Sequence, residues 1–492
     1  MRKGFDNEKY ISLQANRIRE RIGQFDGKLY LEFGGKLFDD YHASRVLPGF
    51  APDAKIRMLQ SMVDDVEIII AINANDIEKN KLRGDLGISY EDDVLRLLDL
   101  FASLNFAVGG VVITRFTGQP SAEAFRSRLG ALGVRSYLHY PIANYPTDIE
   151  GIVSDSGFGK NEFVETTHPL VVVTAPGPGS GKMATCLSQM YHEHKRGVQA
   201  GYAKYETFPV WNLPLRHPVN IAYEAATVDL DDANAIDPFH LEAHGESTVN
   251  YNRDIEVFPV LHALMERIMG ESMYQSPTDM GVNMVGFGIV DDDAVRVAAR
   301  REILRRYFRT AVDVKRGKAE AELVEKLRLL MNQAEVSEAD LEVRTAAMLK
   351  AEATSGPAGA IEMPDGAIIT GKTSNLLGAA SSTLMNALKY AAGIPDIDVI
   401  SDAVIEPICD LKTEHLGSKN PRLHSDETLL ALSVSSATNP QAEALMRHTG
   451  DLAGCDAFFS VILSEADERL LHKLGVHVCT EPVYEKLRFY HK

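Results

Sequence analysis

Short apolar runs alternating with amphipathic helical stretches constrain this chain more than any other feature of its sequence. Residues 28–37 read as a strand, and residues 52–66 carry Ile56, Met58, Leu59 and Met62 on one helical face. Residues 67–75, EIIIAINAN, form a short apolar run of the kind found in buried parallel strands. The alternation continues with a helix over 90–104, a strand over 109–115, a helix over 121–132 and a strand over 136–141. The strand LVVVT at 170–174 and a helix over 183–194 complete it. Strands that alternate with helices predict an α/β fold with a doubly wound, mostly parallel sheet in the N-terminal part.

Beyond that point the character changes. Residues 205–259 are punctuated by prolines, hold the single tryptophan, Trp211, and show few clear helices. A loop of that length inside a compact chain is usually functional. Residues 291–353 are rich in Ala, Glu, Arg and Leu without proline and read as helical. Residues 356–366, GPAGAIEMPDG, read as a linker or a domain boundary. The remainder is α/β again, with strands expected at 367–370, 399–401, 458–462 and 475–479 and helices at 381–392 and 467–474. A chain of 492 residues exceeds what one core usually serves. The expected division is an α/β domain over 1–285, a helical subdomain over 286–355 and a smaller C-terminal α/β domain over 356–492.

Charge narrows the partners. With 51 Lys and Arg against 69 Asp and Glu, the net charge is −18, which disfavours nucleic acid and acidic membrane surfaces. The four cysteines, Cys186, Cys409, Cys455 and Cys479, form no CxxC pair and no disulfide framework. The N-terminal stretch lacks an apolar signal region, and residues 100–114 are too short and too polar to span a bilayer. A soluble cytoplasmic protein is expected.

The richest chemistry follows LVVVT. An anion site needs backbone N–H groups free to turn inward and a helix N-terminus behind them. Gly177, Gly179 and Gly181 supply that freedom, and Lys182 stands where a P-loop lysine reaches the outer phosphates. The pattern departs from G-x-x-x-x-G-K-[S/T]: Pro176 replaces the first glycine and Met183 the final hydroxyl residue. Ser180 or Thr185 would have to serve Mg²⁺ instead. The alternative is a glycine-rich turn that merely packs a helix closely on the sheet. Gly366 to Thr373 fits the same expression literally, but its middle residues are strand-like. Gly371, Lys372 and Thr373 therefore read as either a second, smaller polar site or a capped strand-to-helix turn.

The run DLDDANAIDPFHLEAHGE offers metal ligands. His240 and His244, at i and i+4, can share one helical face. A zinc peptidase of the H-E-x-x-H type needs its glutamate directly after the first histidine, whereas Glu242 stands one place later. Asp229 or Asp231 can instead serve Mg²⁺ beside a phosphate, or the run is a solvated acidic loop. Arg115 follows a buried strand directly, where open α/β sheets place ligand-binding residues, or it serves a structural ion pair. Arg301, Arg305 and Arg309 share a helical face that would meet phosphate, an acidic subunit surface or solvent.

Several segments together, FDGKLYLEFGGKLFDDYHASRVLPGFAPDAK, TAPGPGSGKMATCLSQMYHEH, IDPFHLEAHGESTVNYNRDIEVFPVL and ITGKTSNLLGAASSTLMNALK, resemble a bacterial family of conserved unknown function over essentially the whole chain. Some of its members carry the label "ATP-dependent peptidase". The resemblance implies that residues 177–185 are the family's glycine-rich segment and nothing further about the reaction. Residues and resemblance together lead to a phosphorylated ligand, such as ATP or another nucleotide with Mg²⁺, held at Gly177 to Lys182. In that reading Lys182, Asp229 and Arg115 are the candidate catalytic groups, acting in phosphoryl transfer or hydrolysis. A non-enzymatic homo-oligomeric binding protein and a metal-dependent hydrolase or peptidase are the alternatives.

Overall fold

A computed structural model describes residues 2–25, 27–83 and 86–485. The chain divides into two compact units, Arg2–Ala299 and a unit that begins at Arg300.

The larger unit opens with helix α1 (Asn7–Gly23), strand β1 (Leu29–Phe33), helix α2 (Ala54–Gln60) and strand β2 (Val66–Asn73). It continues through α3 (Tyr90–Ser103), β3 (Ala107–Thr114), α4 (Pro120–Ala131), β4 (Ser136–Leu138) and β5 (Leu170–Thr174). Then come α5 (Lys182–Lys195), β6 (Gly201–Tyr205), α6 (Pro218–Ala226), α7 (Pro238–His244), α8 (Asn252–Met269) and β7 (Gly281–Val282). The seven strands form one sheet in the order β7-β6-β1-β5-β2-β3-β4, and every pair is parallel. The doubly wound α/β expectation is therefore met. All of β2 and β5 is buried, as continuous apolar strands covered on both faces must be. Fully burying each large aliphatic side chain contributes about 1.5–3 kcal/mol, which is why EIIIAI and LVVV occupy the centre.

The order contains a topological switch. From β2 the chain moves outward to β3 and β4, then returns to lay β5 between β1 and β2. From β5 it crosses to the opposite side of β1 to form β6. The connections leaving β2 and β5 thus depart in opposite directions, and in open α/β sheets the crevice outside such carboxyl ends is where ligands bind.

Local expectations fail at residues 205–259 and 399–401, and one helix had not been anticipated. Residues 205–259 hold α6, α7 and the start of α8. Pro218 and Pro238 sit in the first turn of α6 and α7, where a missing N–H costs nothing, so these prolines start helices. The charged N-terminal stretch is α1, whose buried stripe Tyr10, Gln14, Ala15, Ile18 and Arg21 is too polar to stand out as an apolar face. Residues 399–401 are not a strand, because Ser401 opens a helix instead.

In the second unit, residues 300–315 of helix α9 (Asp292–Lys315) join α10 (Ala321–Gln333), α11 (Glu342–Thr354), β8 (Ala358–Glu362) and β9 (Ile368–Lys372). After α12 (Ala379–Ala391) come α13 (Asp402–Asp410), α14 (Ser425–Ser436), α15 (Pro440–Arg447), β10 (Asp456–Phe459), α16 (Glu465–Lys473) and β11 (His477–Thr480). Its sheet is mixed, in the order β9-β8-β10-β11. The expected linker at 356–366 is in fact strand β8 with the turn after it. Its small residues misled because Gly359 lies under the Phe459 ring, where a β-carbon would approach Cδ1 to 2.3 Å. Arg305 grips Asp456 with two parallel hydrogen bonds of 2.7 and 2.8 Å, and Arg301 pairs with Glu362 at 3.0 Å. Those two arginines therefore face acidic groups of their own unit and supply no argument for a subunit contact, while Arg309 remains exposed.

Candidate functional site

The glycine-rich segment leaves β5 at the switch and enters α5. Gly179 and Gly181 take left-handed backbone angles, φ 75° and 88°. Gly177 is needed for a different reason: a β-carbon there would lie 2.1 Å from the Tyr90 Oη. Neighbouring strand ends hold the loop by its carbonyls. Asn73, at the end of β2, donates to the Gly179 oxygen at 3.2 Å, and the Thr114 hydroxyl, at the end of β3, donates to the Ser180 oxygen at 2.7 Å. The Ser180 and Thr185 hydroxyls donate to the Gly177 and Gly181 oxygens at 2.8 and 3.0 Å.

With those carbonyls occupied, the amides are left over. Among the described residues, no backbone N–H from Gly177 to Ala184 has a protein acceptor. Gly181 caps α5 without a side chain, and the first turn holds no acidic residue. Lys182 is its first residue, is half-buried, and makes no ion pair with a described residue. A lysine at a helix N-terminus adds positive charge where the macrodipole is already positive, an unfavourable arrangement that an anion relieves.

A second polar group lies across the same end of the sheet. Glu32 of β1 is the register neighbour of both Val173 of β5 and Lys204 of β6, so the three lie in one row about 4.8 Å apart. The Tyr202 hydroxyl donates to Glu32 at 2.7 Å. Lys204 pairs with Glu206 at 2.7 Å and with Asp254 of α8. Burial disfavours the Lys204 ammonium, but Asp254, Glu206 and Glu32 outweigh it and raise its pKa. Burial pushes the Glu206 carboxyl up, with Lys204 opposing and Asp254 adding to the rise. For Asp254 burial acts upward as well, yet Lys204 and the hydrogen bond with Glu206 leave its pKa lowered. Burial and Asp254 thus favour the protonated form of Glu206, while Lys204 favours the ionised form of Asp254, which gives the trio acid–base capacity. Sequence reading missed Glu32, Lys204, Glu206 and Asp254. Their only signal was position, Glu32, Lys204 and Glu206 at strand ends and Asp254 in the first turn of α8, with Glu32 and Lys204 within otherwise apolar or aromatic strands.

The other expected residues are scattered. Arg115 follows β3 with a left-handed φ of 54° and an exposed side chain. Asp229 and Asp231 are exposed in the turn after α6, while half-buried Asp232 pairs with Arg253 at 2.5 Å and senses the charges of Asp254 and Lys204. His240 and His244 do come together on α7, their ring centroids 4.5 Å apart. Among the described residues, the one group of three or more His, Cys, Asp and Glu donors close enough to share an ion is His240, His244 and Asp279. Neither Asp229 nor Asp231 belongs to it. Gly371 and Lys372 lie in β9, paired antiparallel with β8, and Thr373 donates its N–H to the Pro357 carbonyl. Gly371 lets α12 pack closely, since a β-carbon there would meet the Thr383 backbone N at 2.3 Å. Cys186 is fully buried and burial raises its thiol pKa well above the ordinary value, so the α5 dipole does not activate it.

Fold and site together define a doubly wound α/β protein whose glycine-rich, uncapped helix terminus opens at the switch point of its sheet. The chain belongs to the DUF1846 family. The family description "Domain of unknown function DUF1846, N-terminal" matches residues 3–335, and its C-terminal counterpart matches residues 339–490. The chain is 56% identical over 492 residues to a UPF0371 protein of Streptococcus thermophilus and 55% identical to one of Streptococcus pneumoniae, covering 100% of each chain. The resemblance read from the sequence is thereby confirmed as membership of a conserved bacterial family. Among the described residues no helix is long and apolar enough to cross a membrane.

Proposed function

We propose that this protein binds a phosphorylated small molecule, such as a nucleotide, with its phosphate at the N-terminus of α5. One observation carries the reading: Lys182, which makes no ion pair with a described residue, stands beside the acceptor-less amides from Gly177 to Ala184 at a helix N-terminus without an acidic residue in its first turn. The amides of Gly179 and Gly181 would take phosphate oxygens, and Lys182 would stabilise an outer phosphate or transferred charge. Mg²⁺ fits the loop less well than phosphate does. Met183 stands at the usual hydroxyl position, and the Ser180 and Thr185 hydroxyls are turned to backbone carbonyls. Glu206, Asp254 and Asp232, rather than the exposed Asp229, are the acidic groups that stand across the sheet from the loop. Binding followed by proton transfer at Glu206 is the chemistry these groups support.

The test is thermal unfolding of wild type and Lys182→Ala with inorganic phosphate, ATP and phosphorylated sugars, each with and without Mg²⁺. Ligand at ~100 times its dissociation constant adds about 2.7 kcal/mol of stability. At least one compound is expected to raise the wild-type midpoint and leave Lys182→Ala unmoved. Equal shifts in both proteins, or none with any compound, would end the reading.

A further inference from the structure

A second site stands apart from the glycine-rich segment. Helix α7 is short and firmly bounded. The Asp237 carboxylate accepts from the Phe239 and His240 amides at 3.1 Å each, Pro238 occupies the first turn, and Gly245 ends the helix at φ 71°. One turn of helix separates His240 from His244, so both imidazoles project from the same face.

The third member comes from the short helix Pro277–Met280. The same Asp237, fully buried, accepts from the Thr278 amide at 3.2 Å and the Thr278 hydroxyl at 2.6 Å. One carboxylate therefore caps α7 and clamps the neighbouring helix against it. Asp279 is held further by the Gln275 amide, which donates to its Oδ2 at 3.0 Å, and by Arg21, which donates to its carbonyl at 2.8 Å. His244 Nε2 lies 3.1 and 3.0 Å from the two Asp279 oxygens. His240 Nδ1 lies 3.5 Å from Oδ1 and 2.9 Å from the Ser276 hydroxyl. Donor atoms on a tetrahedral zinc-sized ion stand about 3.3 Å apart, given metal–ligand bonds near 2.0 Å. The spacing between Asp279 and each histidine already matches.

The three residues line one wall of a cleft of about 750 Å³, together with Arg17, Trp211 and Glu246. We infer that His240, His244 and Asp279 form a divalent transition-metal site, of the zinc or cobalt class, whose remaining coordination position faces this cleft. Two imidazoles and one carboxylate suit such ions better than Mg²⁺ or Ca²⁺, which prefer oxygen donors throughout. Three protein ligands with one position left for water or an oxygen ligand is the composition of catalytic rather than structural zinc sites. The buried Asp237 clamp is the supporting shell that such a site needs. Glu242 does not line the cleft, so the arrangement is not that of an H-E-x-x-H peptidase. The inference does not rest on phosphate binding at Lys182.

Metal-stripped, tag-free protein titrated with Co²⁺, and then with Zn²⁺ in competition, tests it. The expected result is one saturable Co²⁺ site with the visible absorption of a four-coordinate ion, displaced by Zn²⁺. His244→Ala and Asp279→Asn are each expected to weaken the affinity at least about tenfold. Both should keep the wild-type melting temperature within a few degrees in the absence of metal, and Glu242→Gln, outside the cleft, should leave the affinity unchanged. Absence of a saturable site in the wild type, or undiminished binding in both variants, would overturn the assignment.

Discussion

Gly177 has no room for a side chain because Tyr90, buried in the core and with the Lys81 ammonium over its ring, comes up against its α-carbon. The loop is thus shaped by a residue far away in sequence. Another single residue, His139 at the end of β4, sets a pH dependence. It is 3% exposed, and burial pushes its pKa from 6.5 down to about 4, with the Glu162 carbonyl opposing. The unfolded imidazole takes up a proton near 6.5 while the folded one stays neutral until about 4. Across that interval the unfolded state binds more protons, so stability rises with pH and levels off above it. Urea unfolding of wild type and His139→Gln through this range checks it, and the variant is expected to show the shallower acid slope. At this scale Gly177, Gly179, Gly181 and Lys182 could be read from the sequence because they are contiguous. Asn73, Thr114, Glu32, Lys204 and Asp279 could not, since each joins its site only after distant strand or helix ends converge.

Strand β6 exposes little, yet it places Lys204 between Glu206 and Asp254, with side chains 22%, 6% and 20% exposed. Removing one partner of a buried ion pair strands the other charge and costs about 3–5 kcal/mol. Lys204→Ala is expected to lose stability on that scale in urea unfolding, whereas Lys204→Met with Asp254→Leu is expected to lose clearly less. Comparable losses would show that the trio is solvated rather than buried. The alternating N-terminal elements were legible because parallel strands buried on both faces must be continuously apolar. Helices α1, α6 and α7 were not, because α1 buries a polar stripe and the other two begin with proline, which reads as a breaker until its place in the first turn is known.

For the whole molecule, the decisive feature is the return of β5 to the middle of the sheet. Local pattern predicts strands, but nothing in a strand's own residues says which neighbours it will take. Strand order turns LVVVT and its glycines from one loop among several into the loop at the switch point. The literal Walker expression at 366–373 shows the reverse case, since its last residues continue an antiparallel ladder in the other unit. The family relationship extends over the whole chain, so both units are its shared property.

The most direct measurement is on the amides themselves. Titrating inorganic phosphate into ¹⁵N-labelled protein and following the Gly179, Gly181 and Lys182 backbone resonances reports each N–H separately. Saturable shifts at these three, absent in Lys182→Ala, are the predicted result. Resonances that stay still at millimolar phosphate and at millimolar ATP with Mg²⁺ would contradict the account and leave the glycine-rich segment a packing turn.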